Sequence, residues 1–440
     1  MLTLVLAFVL FVTNQAAPAP VDAVGRARTV LTALAAQQFA AVEAQFTDEM
    51  KAAMREGRLA FMWTTLAAQA GPHQGCAPDS RVVAIAGKQM VITTCDFERA
   101  RIDVQIAFDS AGRISGMALR PAAPPPASYA LPSYADPATY KEQDVTIGSP
   151  EWPLPATLTL PAGDKSCPAI VLVHGSGPHD RDQSLGGNKP FKDLALGLAS
   201  RGIAVLRYEK RSKAHARRMA ALAALTVKEE VLDDAAAAVE WLATHPAIYP
   251  DRIFVLGHSL GGTLIPRLVA ASKDSIAGAV VLAGAARPIE TAIVEQVRYL
   301  AMLDGTISPA EQAQVEAAEK TAAAVRALGS RDTASGVVIG GVPASYWLDL
   351  RGYDAPAAAA ALRTRMLVLQ GERDYQVTMA EFERWKRALG ARRDVTLRSY
   401  PVLNHLFMPG SGPPTPKEYD TPSHVDEQVI RDIAAWIRGG

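Results

Sequence analysis

From about residue 145 to the C-terminus, short apolar runs alternate with helical stretches, and this alternation limits the fold more than any other feature of the chain. The apolar runs lie at 156–160, 169–174, 203–208, 253–257, 279–283, 366–370 and 395–400. Helical periodicity fills the gaps at 191–200, 228–244, 260–272, 379–389 and 425–437. Nearly continuous Val/Ile/Leu strands separated by helices predict an α/β domain with a mostly parallel sheet covered on both faces. In such sheets the reactive groups collect in loops at the carboxyl ends of the strands.

The sequence before this domain has a different grain. Residues 24–71 are helical in composition, with Val30, Leu31, Leu34, Phe39, Val42 and Phe46 recurring mostly at three- to five-residue steps. Short β-type runs follow at 81–85, 90–94 and 102–108, and Asp109-Ser-Ala-Gly112 reads as a hairpin turn into 114–119. Helices followed by a meander predict a small α+β domain over 24–120, a structural or substrate-shaping module. The prolines of 121–126, with Pro132 and Pro137, predict an extended linker over 121–144 and a catalytic domain over 145–440. Residues 2–12 form an apolar run, too short to cross a bilayer about 30 Å thick. It fits the core of a secretory signal peptide over 1–23, cleaved after Ala23, although no Lys or Arg precedes it. A secreted or periplasmic location is therefore expected, with no integral membrane span.

Three cysteines in 440 residues exclude a disulfide-stapled mini-fold and a Cys-rich zinc module. Cys76 and Cys95 fall together in the small domain, where a bond and two separate thiols are both open readings; Cys167 is read as a plain surface or packing thiol. With 49% apolar and 20% charged residues the chain can bury a large core. Lys+Arg and Asp+Glu are both 45, so composition forces no basic face and no nucleic-acid partner is expected.

The run at 253–256 leads into Gly257-His258-Ser259-Leu260-Gly261-Gly262, after which a helix begins. Strand, G-x-S-x-G and helix in that order describe a nucleophile elbow, in which bulk two residues either side of the serine would clash. Ser259 is the expected nucleophile. Its hydroxyl needs a base, and the base needs an orienting acid, in the chain order Ser, acid, His. Only His405 and His424 follow Ser259. His405 stands in a loop just past the last strand and is preferred, whereas His424 precedes the terminal helix. For the acid, 366–371 runs into Glu372-Arg373-Asp374, and Asp374 is preferred because it has cleared the strand. Oxyanion donors are expected at Leu260 N–H and, from His174-Gly175-Ser176-Gly177-Pro178, at Ser176 N–H, with Gly177 as the neighbour it could be confused with.

Together, His174-Gly-Ser-Gly-Pro178, Gly257-His-Ser-Leu-Gly261, Gly371-Glu-Arg-Asp374 and Asn404-His405 resemble the α/β-hydrolase superfamily. The run from His174 through Arg207-Tyr-Glu-Lys-Arg211 is similar to secreted bacterial carboxylesterases of the serine aminopeptidase-like or dienelactone hydrolase-like kind, which carry a small N-terminal domain of unknown function. The resemblance spans residues 24–440. It implies a carboxylic-ester hydrolase with triad Ser259, Asp374 and His405, acting on a small-molecule ester without a cofactor.

More sequence separates residues 283 and 367 than one crossover helix requires. Helices are expected at 288–303 and 309–328, with an aromatic loop at 340–347, making a lid-like insertion over about 287–350. Tyr299, Met302, Tyr346 and Trp347 are candidates for an apolar substrate pocket, with packing inside the insertion as the equal alternative. His179-Asp-Arg-Asp182 resembles a metal cluster, but one His and two carboxylates on a loop are commonly hydrogen-bonded polar groups. Hydrolytic zinc needs about three ligands in geometry plus an open position, so no metal is expected. The basic run Arg207–Arg211 reads as a local ion-pair network. Two rival functions stand beside the esterase: an exopeptidase of the same fold, with Glu290 or Glu295 anchoring the substrate ammonium, and a non-catalytic binding protein.

Overall fold

The structure is a computed structural model that describes residues 22–439, apart from 55–56, 86–87, 123–128, 164, 223, 273–274 and 334–336. Residues 1–21 of the expected signal peptide and most of the proline run at 121–126 lie outside the described residues. The chain divides into two compact units, Met1–Pro125 and Pro126–Gly440.

In the smaller unit, helices Ala23–Ala35, Phe39–Glu43, Asp48–Ala53 and Arg58–Ala70 precede five strands. These are β1 (His73–Cys76), β2 (Arg81–Ile85), β3 (Lys88–Phe97), β4 (Arg101–Phe108) and β5 (Ile114–Pro121), all antiparallel, in the order β1-β3-β4-β5 with β2 also on β3. The Asp22 and Thr47 side chains cap the first and third helices by accepting from Gly25 N–H and Met50 N–H. Apolar residues of three of these helices (Leu34, Val42, Leu59, Trp63) share one buried core with those of the sheet (Val91, Val104, Ile106, Phe108). Cys76 and Cys95 are register partners across β1 and β3 and form a disulfide. With its ends 19 positions apart in sequence, the bond stabilises by about 3 kcal/mol in the chain-entropy model.

The larger unit is built on an eight-stranded sheet. Its strands are β6 (Tyr140–Ile147), β7 (Leu154–Pro161), β8 (Cys167–Val173), β9 (Ala204–Tyr208), β10 (Ile248–His258) and β11 (Gly278–Leu282). A two-residue pair inside the insertion follows, β12 (Val338–Ile339) with β13 (Val342–Pro343), and then β14 (Met366–Gly371) and β15 (Val395–Tyr400) complete the sheet. The order is β15-β14-β11-β10-β8-β9-β7-β6, parallel from β15 to β9 and antiparallel through β7 and β6. The central strands β8 and β11 are buried throughout, which is why their sequences are continuously apolar. Cys167 is a buried free thiol at the start of β8, so it packs and is not at the surface.

Two boundaries differ from the sequence reading. The sheet starts at Tyr140, not near 145, because β6 is an edge strand whose polar face hides its pairing signal. Nor are residues 129–139 a free linker. The Tyr129 hydroxyl donates to Asp193, the Tyr134 hydroxyl to Val425 O, and Asp136 N–H to Ser200 Oγ, so this segment belongs to the larger unit. At the other end of the expected linker, β5 extends to Pro121.

The expected insertion follows β11. It contains helices Ile289–Ala301 and Pro309–Ala327, the latter opened by a Ser308/Glu311 capping box, then β12–β13 and helix Ala344–Leu350. Among the described residues no helix is long and apolar enough to cross a membrane.

Candidate active site

Strand β10 ends at His258, and the chain reverses at Ser259 into the helix Leu260–Ala271. Ser259 has φ +54° and ψ −120°, a conformation that L-residues rarely adopt. The glycines make the turn possible. A Cβ on Gly257 would lie 2.3 Å from Gly261 O, and one on Gly261 would lie 2.4 Å from Val173 O. A Cβ on Gly175 would come within 3.1 Å of Ser259 Cβ, so the 174–178 loop passes close beside the serine where a side chain would be crowded. The Ser259 side chain is partly exposed and lies at a helix N-terminus.

Asp374 and His405 come together as the chain order suggested. His405 Nδ1 lies 2.6 Å from Asp374 Oδ2, and both residues are buried. Asp374 follows β14, and its Oδ1 accepts from Gln376 N–H and Val377 N–H at 2.8 and 2.9 Å. With its remaining oxygen aimed at the imidazole, the carboxylate holds Nδ1 as the protonated nitrogen and leaves Nε2 as the basic one. Glu372 instead accepts from the Ser399 hydroxyl at an exposed site. His424 pairs with Asp193, away from Asp374.

A buried chain of hydrogen bonds ties these loops together. Gly175 N–H donates to Gln183 Oε1 at 3.2 Å, Gln183 Nε2 donates to His258 Nδ1 at 2.7 Å, and His258 Nε2 donates to His405 O at 2.8 Å. A carbonyl can only accept, so His258 carries its proton on Nε2. Burial, with His405 close by, holds the His258 pKa well below the ordinary value and keeps the ring neutral, as this chain requires. Neither Gln183 nor His258 was singled out in the sequence. The only hint was their position inside motifs, because the pairing arises across 75 residues.

Four of the five non-glycine residues with positive φ among the described residues are Gln183, Ser259, Ala283 and Phe407. They sit in or beside these same loops, each at a cost of roughly 1–3 kcal/mol that surrounding packing must offset.

The loop at 174–180 is held from several sides. His174 Nε2 donates to Asp180 O, His179 Nε2 to Ser176 O at 2.6 Å, and Lys210 Nζ to Gly175 O at 2.8 Å. Burial first, and the Lys210 charge second, bring the His179 pKa down to about 4. Asp180 caps Ser184 N–H, and Asp182 pairs with Lys189 and Arg207, so both carboxylates of the His179–Asp182 run serve the loop. Neither Ser176 N–H nor Leu260 N–H is drawn into a backbone hydrogen bond elsewhere among the described residues.

The pocket candidates separate. Tyr299 stacks on Tyr375, the neighbour of Asp374, and its hydroxyl donates to Pro414 O. Burial and the Asp374 charge push the Tyr375 hydroxyl upward in pKa. Met302 is 49% exposed. Trp347 packs with Val325, Leu328 and Ala344 in the core of the insertion, and Tyr346 is buried with its hydroxyl on Glu230. For these last two, the packing alternative describes the structure. Glu295 is gripped by both terminal nitrogens of Arg287 at 2.6 and 2.7 Å, and the same guanidinium pairs through Nε with buried Glu381.

Comparison with known proteins adds to this geometry. Residues 164–409 match the serine aminopeptidase S33 family, and residues 27–117 match a family of proteins of unknown function (DUF3887). Esterase EstD of Thermotoga maritima is 35% identical over 404 residues, which is 92% of each chain. Among solved structures, the chain is similar to Est1E of Butyrivibrio proteoclasticus (15% identity, TM-score 0.43, covering 68% of this chain and 99% of that one). It is likewise similar to a hyperthermophilic esterase of Pyrobaculum calidifontis (18%, TM-score 0.42, 68% and 85%). Because the family match takes in more than half of the chain, this protein belongs to the serine aminopeptidase S33 family and has the α/β-hydrolase fold.

Proposed function

We propose that the protein is a serine hydrolase of carboxylic esters, with Ser259 as nucleophile, His405 as base and Asp374 as the orienting acid. The observation that carries this reading is the 2.6 Å pair of His405 and buried Asp374, tied through His258 to the strained elbow that presents Ser259. The 35% identity to an esterase along nearly the whole chain supports the ester as the bond attacked.

His405 Nε2 takes the Ser259 proton as Oγ attacks the ester carbonyl, and Asp374 stabilises the imidazolium. The carbonyl oxygen gains negative charge and is met by Leu260 N–H and Ser176 N–H, each worth about 3–4 kcal/mol in the transition state. His405 then gives its proton to the leaving alcohol, and water, activated by the same nitrogen, releases the acid. The family name favours a peptidase as the second reading; Glu295, one of its two candidate ammonium anchors, is already held by Arg287, and the identity to an esterase favours the ester. Export to an oxidising compartment completes the proposal, supported by the apolar run at 2–12 and the Cys76–Cys95 bond.

A fluorophosphonate probe tests the site, with labelling expected in the wild type and absent in Ser259→Ala. Short p-nitrophenyl esters should be hydrolysed far faster than aminoacyl anilides. A preference for anilides would transfer the protein to the peptidase reading.

A further inference from the structure

The run Arg207–Arg211 reads in sequence as a local ion-pair network, and four of its five residues behave structurally. Arg207 pairs with Glu142 and Asp182, Glu209 with Arg181, and Arg211 with Asp234, while Tyr208 is a core residue. Lys210 is different. It is only 2% exposed, and its Nζ donates both to Gly175 O and to Glu230 Oε1, each at 2.8 Å. Glu230 also accepts from the Tyr346 hydroxyl at 2.6 Å. A buried ammonium ion is expensive to desolvate, and an apolar residue would fill the space at lower cost.

Gly175 C=O and Ser176 N–H belong to one peptide unit. No peptide bond among the described residues is cis, so the two groups point in opposite directions. Lys210 holds the carbonyl toward the interior and thereby turns the Ser176 N–H toward the open side, where Ser176 is exposed. The turn of this peptide is set by ψ of Gly175 and φ of Ser176, and Gly175, having no Cβ, leaves its own side of the peptide unrestrained. Rotated by half a turn, it would present an oxygen to the developing oxyanion. A charge-assisted bond to the carbonyl opposes that rotation more strongly than a neutral donor would.

We propose that Lys210 is a positioning residue for ester hydrolysis. It locks the 175–176 peptide with its N–H toward the oxyanion, and through Glu230 and Tyr346 it links that peptide to the insertion helix Ala344–Leu350. This rests on the reading of Ser259 as nucleophile and Ser176 as oxyanion donor.

The test pairs a p-nitrophenyl ester with its thiono analogue, whose C=S sulfur is a poor hydrogen-bond acceptor and draws little help from oxyanion donors. The double variant Lys210→Met/Glu230→Gln removes both charges together and leaves no buried ion unpaired. Its kcat on the oxoester should fall roughly 10- to 100-fold, less than the 10²–10³ of deleting a donor outright. KM should stay within about twofold, and the oxo-to-thiono rate ratio should fall about tenfold or more. An unchanged oxoester rate overturns the proposal, and so does an equal fall on both substrates, which marks Lys210 as merely structural. If that variant does not fold, Tyr346→Phe removes one hydroxyl at the far end of the chain. A few-fold drop in the ratio is then expected, and an unchanged ratio overturns the link. Fluorophosphonate labelling of wild-type Ser259 separates this outcome from failure of the active-site reading itself.

Discussion

Asp374 with His405 and Asp193 with His424 are the same two side chains paired in the same unit, and both carboxylates are fully buried. Asp374 spends one oxygen on two backbone N–H groups of its own loop and aims the other at His405, with Gln370 Nε2 at 3.3 Å as an additional donor. Asp193 sits inside the helix Pro190–Ala199 and joins distant segments. It accepts from the Tyr129 hydroxyl at 2.7 Å and Val425 N–H at 2.9 Å, with His424 Nδ1 at 3.0 Å. The imidazoles differ more sharply. His405 is buried against His258, one residue from Ser259, whereas the His424 side chain is 32% exposed and lies edge-on to Tyr129. A buried carboxylate requires donors wherever it occurs, so an Asp–His pair alone does not make a catalytic site. In the proposed mechanism, the neighbouring elbow makes the difference.

The sharpest way to break this contrast is to remove each histidine. His405→Ala should lower kcat/KM for a p-nitrophenyl ester by at least about 10³-fold, because the serine then lacks a base. His424→Ala should stay within about threefold of wild type. Equal losses would make the pairs functionally alike, and the reverse pattern would move the base to His424, ahead of the C-terminal helix.

Removing the acids separates the pairs by kind of damage. Asp374→Asn should cost roughly 10⁴-fold in kcat with the melting temperature nearly unchanged, because an amide retains the shape but lets the imidazole adopt the wrong tautomer. Asp193→Ala should do the opposite. It strands the Tyr129 hydroxyl and Val425 N–H, so stability should fall by about 1–3 kcal/mol in urea melts, while kcat of the folded fraction changes little. A fall in kcat matching that of Asp374→Asn would mean that the Asp193 cluster supports the active site directly.

The sequence exposed features whose cause is local. Gly257 and Gly262 are demanded by contacts under 3 Å with backbone a few residues away, and the apolar strands by burial on both faces; Gly261 answers to Val173 O on the neighbouring strand β8. The meeting of Asp374 and His405 was also legible, because adjacent parallel strands bring successive loops to one edge. Lys210, Gln183 and His258 were not. Each owes its role to a partner 35 to 147 residues away, and nothing in Tyr-Glu-Lys-Arg distinguishes the one lysine that turns inward. The edge strand β6 escaped because its side chains are mostly solvated, and the Tyr129–Asp136 segment because proline content says nothing about what an extended chain docks against.

The smallest expected effect concerns pH. Burial raises the Asp193 carboxyl above the ordinary aspartate range, although Tyr129, Val425 N–H and His424 all pull it down. The folded state therefore holds this proton more tightly than the unfolded chain does. Its stabilising contribution is complete below the unfolded pKa of about 3.9 and is lost as pH rises through the higher folded value. Asp193→Asn has no such proton to lose. The stability of wild type minus that of Asp193→Asn should consequently decline as pH rises between about 3 and 7. Urea melts of both proteins at matched pH measure it. A difference that rises with pH would mean that the His424 charge and the hydrogen bonds outweigh burial at Asp193. That cluster would then be an ion pair like any other, and the contrast with Asp374 would rest on the position of Ser259 alone.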